Sequence, residues 1–140
     1  MAVDLSALRP LHVGISVADM DSSIRWYAEM LGFTLVSDCE MPALDSRVVF
    51  LRNGGFELEF FQHHHTLPLP PERLTPNEDI RTQGTKHICF AHPDVPGLLA
   101  QLRQKGADVV MEQVIKGKPM GFVRDNNGVL IELIQPPAEA

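Results

Sequence analysis

The chain has 140 residues, 44% of them hydrophobic, and a formal net charge of −6, which suits one folded domain with a single core. The acidic balance argues against nucleic acid as a partner, because binding to phosphates depends on clustered Lys and Arg. No apolar run approaches the roughly 18 residues that a membrane span requires. The N-terminus also lacks a basic region followed by an apolar one. We therefore expect a soluble, cytoplasmic, single-domain protein with no membrane partner.

The chain contains two cysteines, Cys39 and Cys89. Two are too few for a disulfide scaffold or for a zinc site built from cysteines. We expect both to be small buried hydrophobic residues in a reduced compartment.

The first part of the chain, about residues 10–62, predicts one βαβββ unit. The helix is indicated by apolar residues that recur at i, i+3, i+4 and i+7, and Asp21, or else Asp19, is its expected N-cap. The expected elements are a strand that begins near His12, a helix that ends at Gly32, strands at 34–39 and 47–52, a turn at 53–55, and a last strand that holds Glu59.

A second βαβββ unit is predicted over about residues 85–136. Its helix has the same apolar spacing, with Asp94 as the expected N-cap. The expected elements are a strand that begins near His87, a helix that ends at Gly106, strands at 107–111 and 121–124, a turn at 125–128, and a last strand that holds Glu132. A proline-rich connection, about residues 63–84, joins the two units. A connection this long inside one domain is often functional, and we expect a lid over a pocket.

The two units are an internal duplication. His12 and His87 are 75 residues apart, and Glu59 and Glu132 are 73 residues apart. Each Glu lies four residues after a Gly and three before a Gln. Because the spacing of the two His and the spacing of the two Glu agree within two residues, we predict an α+β fold of two tandem βαβββ modules that form a curved mixed-sheet cleft.

The duplicated residues predict a metal site. A carboxylate in the middle of an apolar strand is costly unless a positive charge compensates it, and neither module has a Lys or Arg at the equivalent position. One divalent cation would compensate both carboxylates and use both imidazoles. We therefore predict one divalent ion per site, which could be Ni, Zn, Co, Mn or Fe. Its expected ligands are His12, Glu59, His87 and Glu132.

Two other features could be mistaken for part of this site. Glu57 shares a strand face with Glu59 and would replace it if the register slipped by two residues, but the repeat selects Glu59. The run His63-His64-His65 cannot converge on one ion, because its residues are adjacent. We expect it to form a loop tip at the end of a strand, from which His63 or His65 could reach the mouth of the pocket.

Three phrases resemble the vicinal-oxygen-chelate superfamily, which includes glyoxalase I, methylmalonyl-CoA epimerase, extradiol dioxygenases and bleomycin and fosfomycin resistance proteins. They read Ser-Ile-Arg-Trp-Tyr-Ala-Glu-Met-Leu-Gly-Phe at 23–33, Gly-Thr-Lys-His-Ile at 84–88, and Phe-Val-Arg-Asp-Asn-Asn-Gly-Val-Leu-Ile-Glu-Leu at 122–133. The resemblance covers nearly the whole chain except the connection.

The ligand set is similar to that of glyoxalase I-like proteins, and the last strand is similar to that of methylmalonyl-CoA epimerases. The resemblance implies a metal-dependent lyase or isomerase that acts on a small oxygenated substrate through a metal-stabilised enediolate, with Glu132 or Glu59 as the base. It also implies a homodimer. Glyoxalase I enzymes usually carry an Arg and an Asn that hold glutathione, where this chain has Ser16 and His63. These departures argue against glutathione conjugates as substrates.

Two alternatives stay open. An extradiol-type dioxygenase needs two His and one carboxylate with open positions for oxygen and catechol, and a ligand at Glu59 would close one of them. A non-catalytic protein that sequesters a small, antibiotic-like molecule could use the same cleft. The sequence also leaves open whether a site uses both modules of one chain or modules of two chains.

Overall fold

The fold consists of two four-stranded sheets, seen in a computed structural model that describes residues 1–138. The strands are β1 (His12–Ser16), β2 (Thr34–Met41), β3 (Ser46–Asn53), β4 (Phe56–His63), β5 (Ile88–Ala91), β6 (Asp108–Ile115), β7 (Lys118–Arg124) and β8 (Leu130–Ile134). The helices are α1 (Met20–Leu31), the short α2 (Pro76–Asp79) and α3 (Val95–Gln104).

The two sheets have the same topology, which confirms the predicted pair of βαβββ units. The strand orders are β1-β4-β3-β2 and β5-β8-β7-β6. In each sheet the first strand is parallel to the last, and the other pairs are antiparallel. The helix between the first two strands makes this parallel pairing possible, because parallel strands need a crossover connection.

Both long helices begin at an aspartate, and for α1 the N-cap is Asp19, the second choice, because Asp21 lies in the first turn of the helix. Asp19 accepts a hydrogen bond from the backbone N–H of Ser22 at 2.8 Å, and Asp94 accepts one from Gly97 at 2.9 Å. These carboxylates satisfy N–H groups that have no partner inside the helix. At the other end of α1, Gly32 takes the left-handed conformation, with φ 71°.

The two glutamines of the repeated Glu-x-x-Gln phrase bind the helix starts. Gln62 Oε1 accepts a hydrogen bond from the backbone N–H of Met20 at 2.6 Å, and Gln135 Oε1 accepts one from Val95 at 3.0 Å. Since side chains alternate along a strand, residues three apart point to opposite faces. The Gln therefore faces the helix, and the Glu three residues earlier faces away from it.

The main core lies on the helix side of both sheets and is continuous from one module to the other. Its largest fully buried side chains include Tyr27, Phe60, Leu58, Leu99 and Ile131. Each such side chain contributes on the order of 2 kcal/mol through burial. A smaller cluster of Met120, Phe122 and Leu130 covers the opposite face of the second sheet, so that face is partly apolar around Glu132.

A buried hydrogen bond joins the two modules. The hydroxyl of Tyr27 on α1 donates to Asp125 Oδ2, in the turn between β7 and β8, at 2.7 Å, and both side chains are buried. Burial raises the pKa of Asp125, and the bonds from Tyr27 and from backbone N–H groups offset part of that rise. Nearby, Asn127 Oδ1 accepts a hydrogen bond from the backbone N–H of Ala18 at 2.9 Å. These contacts fix module 1 against the end of the second sheet.

The connection between the modules is folded against the turn between β7 and β8. Arg124 Nε donates to the carbonyl of Leu74 at 2.6 Å. A Cβ atom added at Gly128 would lie 2.7 Å from the Leu74 side chain, and Gly128 has φ +89°. The positive φ favours glycine here, and a larger residue would also displace the Leu74 side chain. That the connection between the modules acts as a lid over a pocket stays a prediction.

Two expectations about local structure are wrong. Cys39 and Cys89 are exposed, not buried, because β2 is an open edge strand and Cys89 points away from the helix-side core. Strand β6 runs on to Ile115 instead of ending near position 111. Its hairpin with β7 turns at Lys116 and Gly117, which both have positive φ, as a tight hairpin requires.

Among residues 1–138, no helix combines the length and the hydropathy needed to cross a membrane.

Candidate metal centre

The first predicted pair of ligands comes together in module 1. His12 begins β1, and its Nε2 lies 2.9 Å from Glu59 Oε2 on the neighbouring strand β4. The side chains are 34% and 18% exposed, so the carboxylate is the more buried partner. The ring of Phe50 on β3 meets the His12 ring edge-on, with centroids 5.4 Å apart. The imidazole is thus held between an acidic and an aromatic neighbour.

The second pair repeats this arrangement in module 2. His87 Nε2 lies 2.8 Å from Glu132 Oε2, and the side chains are 27% and 18% exposed. The Phe122 ring on β7 meets the His87 ring edge-on at 4.9 Å. The duplication therefore extends to three-dimensional contacts.

Strand register explains why the two constellations match. Glu59 is in register with Phe50, and Glu132 is in register with Phe122. Sequence reasoning missed both phenylalanines. They are 72 residues apart (50 to 122), close to the spacing of the duplicated ligands, and this spacing was the signal that could have found them.

The two sites differ at the position beside the carboxylate. Gly14 is in register with Glu59, whereas Cys89 is in register with Glu132. Although Cys89 is exposed as a residue, partial removal of water from its thiol raises the pKa of Cys89 to about 11, and the charge of Glu132 adds to the rise. Cys89 therefore carries its proton near neutral pH.

Glu57 has a different partner from Glu59, although it lies on the same strand face. Arg52 donates to Glu57 Oε1 through Nε at 2.9 Å and through Nη2 at 2.5 Å. Glu59, by contrast, contacts His12. Glu57 is thus paired with a cation of its own, and Glu59 as a metal ligand stays a prediction.

The three consecutive histidines lie at the end of β4, and the acidic side chain that His63 and His64 both contact is Asp45. His64 Nδ1 is 2.7 Å from Asp45 Oδ1, and His63 Nε2 is 3.7 Å from Asp45 Oδ2. His63 Nδ1 faces the backbone of His65. The run therefore forms a local loop structure with the residue before β3.

The chemistry of the paired residues fits a divalent cation. Within residues 1–138, neither Glu59 nor Glu132 forms an ion pair with Lys or Arg. Each carboxylate is mostly buried and has an imidazole as its charged or polar partner. Two carboxylates and two imidazoles match the ligands that Zn, Ni, Co, Mn and Fe accept.

The structure joins the four predicted ligands as two pairs, not as one cluster. In the described part of a single chain, no three His, Cys, Asp or Glu side chains are grouped closely enough to hold one ion. Each module thus supplies half of the predicted ligand set.

Comparisons with known proteins agree with this fold. The sequence profile of the Glyoxalase/Bleomycin resistance protein/Dioxygenase superfamily matches residues 9–133. The chain belongs to this superfamily. It is 32% identical over 130 residues to the lactoylglutathione lyase GLX1 of Arabidopsis thaliana, covering 91% of this chain and 44% of that protein. It is 27% identical to the mitochondrial methylmalonyl-CoA epimerase of Homo sapiens, covering 89% of this chain and 72% of that protein.

A solved structure gives the same result. The trypanothione-dependent glyoxalase I of Leishmania major superposes with a TM-score of 0.74 at 28% identity, covering 92% of this chain and 87% of that one. The two tandem modules are therefore the glyoxalase-superfamily fold.

In this superfamily member, a cavity of about 290 Å³ lies beside the second pair. It opens between β1 and the start of β5 and has the connection on one side. Its lining includes His87, Gly14, Ser16, Leu69, Arg73 and Thr85. The lining combines a majority of apolar residues with a few polar side chains, which is usual for a small-molecule pocket.

Proposed function

We propose that this protein is a divalent-metal-dependent lyase or isomerase that moves a proton on a small oxygenated substrate. The observation that carries the proposal is the repeated constellation of imidazole, carboxylate and phenyl ring. Its contacts are His12 Nε2 to Glu59 Oε2 at 2.9 Å and His87 Nε2 to Glu132 Oε2 at 2.8 Å. Membership of the superfamily and relatives named as a lyase and an epimerase support the same class of reaction.

His12, Glu59, His87 and Glu132 would hold the ion. When bound, a divalent ion supplies positive charge that stabilises negative charge on adjacent substrate oxygens. The phenyl rings of Phe50 and Phe122 restrict the two imidazoles and keep water from one side of each. Because the carboxylates have no Lys or Arg partner within residues 1–138, their charge remains available to the site.

Glu132, or Glu59 in its place, would act as the base. Its task is to take a proton from the carbon next to a carbonyl and to return it at the same or the adjacent carbon. A positioned carboxylate suits this role, since it accepts and returns the proton without net consumption. Glu132 lies on the apolar strand β8 beside Phe122 and Leu130, where partial removal of water strengthens its interaction with a proton donor.

We propose that the working unit is a homodimer in which module 1 of one copy faces module 2 of the other. Two features support this. The ligand pairs are separate in the single chain, and the edge strands β2 and β6 leave large apolar side chains open to water. The exposed side chains on or beside these strands are Leu35, Val36, Met41, Leu44, Val114 and Ile115. A second copy would cover such edges and bring two ligand pairs together.

The test is exchange of a substrate proton with solvent. Purified protein loaded with Ni²⁺ is mixed with hydroxyacetone in D₂O, and deuterium at the carbon next to the carbonyl is followed by NMR. We expect exchange above the rate with Ni²⁺ alone. Absence of exchange with this and other hydroxycarbonyl compounds would contradict the proposal. Oxygen uptake with a catechol would identify a dioxygenase, and tight binding without turnover would identify a sequestering protein.

A further inference from the structure

The two ligand histidines are held by different means. His12 belongs to the β1 ladder and is in register with Glu57. His87 precedes β5, whose pairing with β8 begins at Ile88. The backbone of His87 therefore has no register partner of its own, and the sheet holds it only from the Ile88 side. Contacts made by the residues before His87 would fix its other side.

The connection between the modules supplies these contacts. Arg73 Nη2 donates to the backbone carbonyl of Thr85, two residues before His87, at 2.6 Å. Lys86, the residue directly before His87, donates from Nζ to the carbonyl of Asp79 at 2.7 Å and to the carbonyl of Thr82. Both residues before the histidine are thus tied to the connection.

Asp79 holds the two cations together. Its Oδ1 accepts from Arg73 Nε at 2.9 Å and from Lys86 Nζ at 3.2 Å, and its side chain is only 2% exposed. Arg73 precedes α2 in the chain and Lys86 follows it, so one buried carboxylate joins two separate segments. An unpaired charge left there would be costly, which makes the cluster cooperative.

We propose that Asp79 is a positioning residue for His87. By fixing Arg73 and Lys86, it holds Thr85–Lys86 in place, so that the His87 ring stays against Glu132 and Phe122. The expected effect on metal affinity rests on the proposed function. The position of the His87 ring, by contrast, can be tested in protein without metal. Module 1 needs no such supporting carboxylate, because His12 lies within strand β1.

The test compares Asp79→Asn with the wild type by NMR of ¹⁵N-labelled imidazoles in metal-free protein, and by Ni²⁺ titration. We expect the His87 signals to shift towards those of a free imidazole or to broaden, while the His12 signals stay unchanged. Loss of support behind a metal ligand typically lowers affinity about 10–100-fold, and we expect at least a 10-fold loss. The control is Asp38→Asn in module 1. Asp38 also pairs with an arginine, because it accepts hydrogen bonds from Arg47 at 2.9 and 2.7 Å. The control variant should change neither readout.

The outcomes separate this inference from the proposed function. Unchanged His87 signals and unchanged Ni²⁺ affinity in a folded Asp79→Asn protein would overturn the inference. A wild type that binds no Ni²⁺, with His87 signals that still respond to Asp79→Asn, would contradict the proposed function and leave the positioning role standing. If Asp79→Asn does not fold, Arg73→Lys keeps the charge but replaces the two separate donors of Arg73, Nε to Asp79 and Nη2 to Thr85, with one ammonium group. Unchanged His87 signals in that variant would also overturn the inference.

Discussion

Glu132 and Glu57 form a matched pair for testing the ligand assignment. Their side chains are 18% and 20% exposed, so burial does not distinguish them. Their partners do: Glu132 contacts His87, and Glu57 contacts Arg52, which is 51% exposed. Replacement of either by Gln keeps the shape and removes the negative charge. A difference in metal retention or in proton exchange between the two variants therefore reflects the different roles of the two carboxylates.

The expected magnitudes differ widely. Glu57→Gln loses an ion pair with a largely exposed Arg, which is worth about 0–1 kcal/mol, or at most about a 5-fold change in an equilibrium. Glu132→Gln removes both a metal ligand and the proposed base. Loss of a general base alone lowers a rate about 10²–10⁴-fold, and the weaker hold on the ion adds to that loss.

The assay has two parts, both applied to the wild type and the two variants. Retention of Ni²⁺ is measured by dialysis against a competing chelator, and proton exchange on hydroxyacetone is followed by NMR in D₂O. We expect Glu132→Gln to lose metal and to lower exchange at least 10²-fold, with Glu57→Gln close to the wild type. Equal exchange in the wild type and Glu132→Gln, with metal still bound, would refute the base assignment.

Two further predictions concern stability, measured by urea unfolding. Tyr27→Phe leaves the buried carboxylate of Asp125 without its hydroxyl donor and should cost about 2 kcal/mol at pH 7. The pKa of Asp125 is raised in the fold, so its ionisation opposes folding as the pH rises through that pKa. The Tyr27 hydroxyl stabilises the charged form of Asp125, so Tyr27→Phe raises the pKa of Asp125 further. Its cost should therefore shrink as the pH falls and Asp125 takes up a proton, and a cost independent of pH would contradict this. Gly128→Ala should cost more than Gly54→Ala, because both have positive φ but only Gly128 faces a side chain, that of Leu74. Equal costs would show that the Leu74 contact relaxes freely.

The sequence predicted the parts of the fold that rest on local patterns. Apolar spacing and capping residues located α1 and α3, and Asp19 and Asp94 cap them as expected. Alternation along the last strand placed Glu132 on one face with Leu130 and Ile134, and the structure then shows that this face points away from the helix. These features depend on neighbours in the chain, so a repeat in the sequence becomes a repeat in the structure.

Other features depend on contacts between distant segments, and the sequence did not reveal them. The exposure of Cys39 and Cys89 follows from open strands in a single chain. The Asp79 cluster arises only when the connection folds back on the segment before β5. The separation of the two ligand pairs is likewise a property of how the modules pack, which periodicity does not encode.

The most direct test of the central claim is the location and stoichiometry of bound metal. Protein purified without a polyhistidine tag is loaded with one divalent metal, its mass is determined by light scattering, and an anomalous-scattering map is calculated from crystals. We expect a dimer with one ion per chain, each bound by His12 and Glu59 of one copy and by His87 and Glu132 of the other, at about 2.0–2.2 Å. A monomer without bound metal, or an ion held elsewhere, such as at the three consecutive histidines, would contradict the account.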